Sequence, residues 1–155
     1  MIPQFKNLNE DEKTALLDTP ALIAVLIAGA DNKIDEKEIN YSEKLTHFRA
    51  SDMESPLHLY YAEVDKYIAD AIAQQVKTLP KDLIERQNII SEELANLNEI
   101  LPKLDKSFAI ELYKSYLSFA KSVAKSSGGL WGYASITPEE ERLLGLSMIN
   151  NPAEN

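Results

Sequence analysis

Apolar residues recur along this chain at three- and four-residue spacing, and no strand-like alternation competes with that pattern. The period predicts helices throughout. Asn9 caps a short first helix carrying Ala15, Leu16 and Leu17, and Thr19-Pro20 then restarts the chain, Thr as an N-cap and Pro at the first helical position. The next helix, Pro20 to about Ala30, is apolar on nearly every face, which marks a buried central element. A short loop leads to Asp35 and Glu38, spaced as a capping box, and a helix through Ile39, Leu45 and Phe48 to about Arg49. Ser55-Pro56 opens another, with Val64, Ile68, Ile72 and Val76 in register, and Pro80 stops it.

A fifth helix is predicted from about Asp82 to Leu101, and a sixth from about Lys106 to Ser126 with Phe108, Leu112, Tyr116, Phe119 and Val123 in line. After a glycine-rich loop around Gly128, Gly129 and Gly132, Thr137-Pro138 starts the last helix, with Leu143, Leu144, Leu146 and Ile149. The pattern therefore reads as a single all-α domain over residues 1–155, a compact bundle of about seven helices, with 150–155 as a frayed tail.

Composition narrows the function classes. The 155 residues suit one domain and contain no cysteine, which removes disulfides, thiol nucleophiles and thiolate metal sites. A net charge of −9, with the three arginines far apart, argues against nucleic acid. The longest apolar run, Ala21 to Ala30, is about half of what a bilayer crossing requires, and residues 1–17 lack a signal-peptide core. A cytoplasmic protein without membrane insertion is the expectation.

Two segments follow one scheme: an apolar helix ending in small residues, a polar loop, an isoleucine, an N-cap and a glutamate three positions later. Ile34, Asp35 and Glu38 fill these roles first, and Ile136, Thr137 and Glu140 fill them second. The echo suggests two pseudo-repeated helical hairpins. In the first copy Ala30, Asp31, Ile34 and Glu38 match an Ala-Asp-Gly-x-Ile/Val-x-x-x-Glu segment, with Asn32 in the glycine position. Through these residues the chain resembles the bacterial tellurite-resistance TerB-like domains. The resemblance implies a compact helical fold, no established catalysis, cation binding through acidic residues and a link to stress responses. It carries Asp31 and Glu38 over as matched positions.

Asp31, Asp35 and Glu38 crowd one loop and helix start. Carboxylates there complement the helix dipole, and they also offer the oxygen ligands that calcium or magnesium take. A full EF-hand is excluded, because Ile27 and Gly29 occupy its first two ligand positions; Glu140 from the second loop would complete a site if the repeats meet. The glycine loop is no phosphate loop, since it follows a helix and precedes Glu139, Glu140 and Glu141; Trp131 and Tyr133 are expected to tuck into the bundle. Glu43 and His47 share a helix face without a second histidine to complete a zinc motif. Tyr60, Tyr61 and Tyr67 spread around one helix, either packed in the core with hydroxyls at its rim or available to a protein partner. The first reading is a non-enzymatic, stress-linked scaffold holding a divalent cation at Asp31, Asp35, Glu38 and Glu140. The alternative is an adaptor whose tyrosine-bearing helix docks an unknown protein and whose acidic loop is only a helix cap.

Overall fold

The computed structural model describes residues 2–30, 33–126 and 138–154, with backbone only for 138–140. These residues are helical, and no strand occurs among them. The helices are α1 (Glu10–Ala28), α2 (Glu36–Ala50), α3 (His58–Thr78), α4 (Leu83–Ala95), the single turn α5 (Leu97–Ile100), α6 (Lys106–Lys125) and α7 (Pro138–Leu144), with short 3-10 turns at Pro3–Phe5, Leu101–Lys103 and Pro152–Glu154.

Local chemistry starts most of them. Asn9 and Glu12 form a reciprocal capping box at α1, each bond 2.9 Å long. Asp82 caps α4 through the Glu85 N–H at 3.0 Å, and Asp105 caps α6 through the Phe108 N–H at 3.4 Å. Before α3 the Ser55 hydroxyl accepts from the Leu57 N–H at 3.1 Å, so the expected Ser-Pro start is a turn leading into a helix that begins at His58.

The break expected at Thr19-Pro20 does not occur: α1 runs unbroken from Glu10 to Ala28 with Pro20 inside it. A proline in a helix interior withholds the N–H that the carbonyl four residues earlier would accept. That carbonyl belongs to Leu16, and the buried Tyr60 hydroxyl of α3 donates to it at 2.5 Å. Thr19 is no N-cap either, because its hydroxyl bonds back to the Ala15 carbonyl at 2.8 Å. A side chain from another helix thus substitutes for the missing backbone donor.

Every residue of α1 from Thr19 to Ala28 is buried. The helix touches α2, α3, α4, α5, α6 and α7, which accounts for an apolar surface without a polar side. Around it α3 contributes Tyr60, Tyr61, Val64, Ile68 and Ile72, and α6 contributes Phe108, Leu112, Tyr116, Phe119 and Val123. The face that α2 buries is different in kind. Glu38, Ser42 and Thr46 recur every fourth residue along it, and the Ser42 and Thr46 hydroxyls each bond the carbonyl one turn back, at 2.8 and 2.9 Å. Such bonding leaves small, satisfied side chains at the contact.

After α7 the chain makes a Schellman turn, with Leu146 N–H to Leu143 carbonyl at 3.1 Å and Ser147 N–H to Arg142 carbonyl at 3.4 Å. Leu146 takes the left-handed position (φ 46°) that glycine usually fills. Its side chain is wholly buried, and that burial offsets the backbone strain. The tail beyond packs back instead of fraying. Asn150 N–H donates to Asn98 Oδ1 at 2.7 Å, Asn98 Nδ2 donates to the Met148 carbonyl at 2.9 Å, and Pro152 is buried. The expectations for the glycine loop, Trp131 and Tyr133 lie outside the described residues.

Candidate functional site

The acidic loop joins the end of the central helix to α2. Gly29 closes α1, and the Ala28 carbonyl accepts the Asp35 N–H at 2.9 Å, pinning the loop shut at its base. Asp35 caps α2 as expected, its carboxylate accepting from the Lys37 and Glu38 N–H groups at 2.9 and 3.2 Å. The full capping box is corrected, because the N–H that it would give to Glu38 is the one that reaches Ala28. Glu38 lies on the buried face of α2 at 3% exposure. Asp31 lies outside the described residues, as does the side chain of Glu140. Among the described residues no group of three or more histidines and carboxylates converges as a metal site would require.

Sequence reasoning missed the strongest charge beside this loop. Arg86, in the first turn of α4, is 3% exposed, and its guanidinium donates to the Gly29 carbonyl at 2.8 Å and to the Lys81 carbonyl at 3.1 Å. It therefore ties the negative end of α1 to the α3–α4 corner, and a cation there is favourable with respect to the helix dipole. Gly29 has to be glycine for this: an added Cβ would stand 2.8 Å from the Val25 carbonyl and 3.1 Å from the Arg86 guanidinium. Arg86 stands one turn before Ile90 and two before Leu94 on the buried stripe of α4, and that register was the available signal for its burial.

The three tyrosines separate. Tyr60 and Tyr61 are each 1% exposed and belong to the core, which corrects the expectation that they offer a surface; only Tyr67, 62% exposed, stands outward. Tyr60 and Tyr116 share a 2.8 Å hydroxyl bond, and burial pushes both phenols well above their usual range. Tyr61 meets Ser115 at 2.9 Å and accepts from Arg49, also at 2.9 Å. Arg49 further donates to the Ser115 carbonyl and the Ser118 hydroxyl and lies 5.2 Å from the Tyr61 ring centroid, so one side chain clamps α2, α3 and α6 together. His47 does not complete a zinc pair; its Nδ1 meets Asp65 Oδ2 at 2.8 Å on the hairpin surface.

Two further features bear on function. A small cavity of about 180 Å³ opens between α5, the start of α6 and the tail, lined by Leu101, Pro102, Leu104 and Pro152 with Asn98 and Lys106. Its lining among the described residues holds no carboxylate, histidine or serine, hence no acid–base pair. The large apolar side chains left exposed are Phe48, Met53, Leu59, Tyr67, Val76 and Ile84, so among the described residues all six lie on the α2–α3–α4 stretch. None of the described helices is long and apolar enough to cross a membrane. Comparison of the chain with protein-family models, with curated proteins and with solved structures finds no match.

Proposed function

We propose that this domain is a non-enzymatic adaptor that presents the outer side of its α2–α3–α4 stretch to a protein partner. One observation carries the reading: the exposed large apolar residues between Phe48 and Ile84, where Phe48, Met53, Tyr67 and Ile84 are each more than 60% exposed. Large apolar groups left in water along one stretch of the chain are the side chains from which a docking surface can be built. Tyr67 remains the tyrosine through which α3 would engage the partner, while Tyr60 and Tyr61 hold that helix in place. A photo-crosslinking amino acid at position 67, against one at Glu111 on α6, tests the reading in cell extract. The adaptor reading expects discrete adducts from position 67 alone, and equal or absent adducts from both positions would remove its basis.

The second reading keeps the acidic loop as a calcium or magnesium site built from Asp31, Asp35, Glu38 and Glu140. It would serve a stress-linked scaffold of TerB-like kind, with α1–α2 and α6–α7 as paired hairpins. The buried Glu38 carboxylate just past the loop favours it. The buried Arg86 guanidinium weighs against it, since a fixed positive charge already serves the Gly29 carbonyl. A site worth having raises stability by about 2.7 kcal/mol at one hundred times Kd. Millimolar calcium or magnesium should then raise the unfolding midpoint by several degrees in the native chain and by less in Asp31→Asn. A midpoint indifferent to both ions leaves the loop as a structural joint.

A further inference from the structure

We infer that the α2–α3 corner is the docking point for a basic amphipathic segment of a partner protein, an apolar side chain flanked by lysine or arginine. The inference rests on the adaptor reading and narrows it to one place and one partner chemistry. Among the described residues Phe48 and Met53 are the two most exposed large apolar side chains, at 70% and 74%. Only five positions separate them, in a chain held tight by turns: Ser51 N–H to the His47 carbonyl, Asp52 N–H to Arg49 and Ser55 N–H to Asp52. An aromatic ring and a flexible thioether are the side chains that interfaces favour.

Charge selects the partner. Asp52 and Glu54 flank Met53 on both sides, and both are exposed. The nearest cation in sequence, Arg49, is turned inward, committed to Tyr61, Ser115 and Ser118. The next is Lys44, exposed one turn back along α2, and His47 beside it is engaged with Asp65. The corner thus presents two exposed apolar groups, with carboxylates on both sides of Met53 and one exposed lysine a turn before Phe48. A second copy of this chain, itself carrying a net charge of −9, would bring like charges together there, whereas a lysine-bearing segment would neutralise them.

The probe is a synthetic helical peptide of leucine and lysine, with a twin that has glutamate in place of lysine, followed by fluorescence anisotropy with the full chain. The lysine peptide should bind and the glutamate twin should not. Phe48→Ser with Met53→Ser keeps every charge, and Asp52→Asn with Glu54→Gln keeps every apolar group; each pair should weaken binding by about tenfold. Removing two exposed carboxylates elsewhere, Glu92→Gln with Glu111→Gln, should change it by less than about twofold. If the distant pair weakens binding as much as the corner pairs, the attraction is only that of an acidic protein and the inference is overturned. It is likewise overturned if the chain self-associates in sedimentation and Phe48→Ser with Met53→Ser abolishes that, which would make a second copy the occupant. Crosslinks from position 67 without corner-dependent peptide binding would sink this inference and leave the adaptor reading standing.

Discussion

Replacing Tyr60 by Phe removes one oxygen from the centre of the bundle, and the structure sets what that should cost. The hydroxyl donates to the Leu16 carbonyl at 2.5 Å and also meets Tyr116 at 2.8 Å. Pro20 cannot supply the N–H that the Leu16 carbonyl would otherwise receive, so the substitution strips that buried acceptor of its donor. An acceptor left unsatisfied in the core costs about 1–3 kcal/mol. For a chain of this size that lowers the unfolding midpoint by about 3–10 °C. Urea and thermal unfolding followed by circular dichroism measure it. The sharper assay is a double-mutant cycle with Pro20→Ala, which restores the backbone N–H. In that background Tyr60→Phe should cost less, with a coupling of about 1 kcal/mol between the two sites. Additive effects, or a Tyr60→Phe variant within about 0.5 kcal/mol of the parent, would refute the account of how this helix tolerates its proline.

Other expectations follow from the same contacts. Arg86→Met should destabilise the domain by about 2–4 kcal/mol in urea unfolding, since it leaves the Gly29 and Lys81 carbonyls without their charged donor. Gly29→Ala should destabilise it as well, because the Val25 carbonyl only 2.8 Å from the new methyl is helix backbone and cannot swing aside; an unchanged denaturation midpoint would contradict this. Half-buried Asp18 has its carboxyl held above the usual range by desolvation and then by Glu93. The folded state thus holds that proton more tightly than the unfolded state, a stabilising contribution present in acid and lost as pH rises through the raised value. Asp18→Asn should therefore be more stable than the parent at neutral pH, and the advantage should disappear as pH falls through the carboxylate range. A difference independent of pH would mean that the charge is not its source.

What the sequence determined by itself is what short-range physics controls. The caps at Asn9 and Asp35 act over two or three residues, so residue type and spacing suffice to place them. The stripes of α3 and α6 were legible for the same reason, and the uniformly apolar stretch through α1 could only be a helix with neighbours on every side. Tertiary structure decided whatever depends on a distant donor. Thr19-Pro20 is a sound start signal, yet the helix runs through it because Tyr60, 44 positions away, serves the Leu16 carbonyl. The same bond places the Tyr60 hydroxyl in the core, whereas Tyr67 lies beside the buried positions Tyr60, Tyr61, Val64, Ile68 and Ile72 of α3 and stays out. Arg86 reaches Gly29 across 57 positions; its register with Ile90 and Leu94 points it to the buried face, but which carbonyl it serves depends on a distant helix end. At the acidic loop the sequence placed Asp35 as a cap, but only the packing of α2 buried Glu38. Burial is a property of the face that meets another helix, and a polar stripe of Glu38, Ser42 and Thr46 hides that face from any rule based on hydrophobicity.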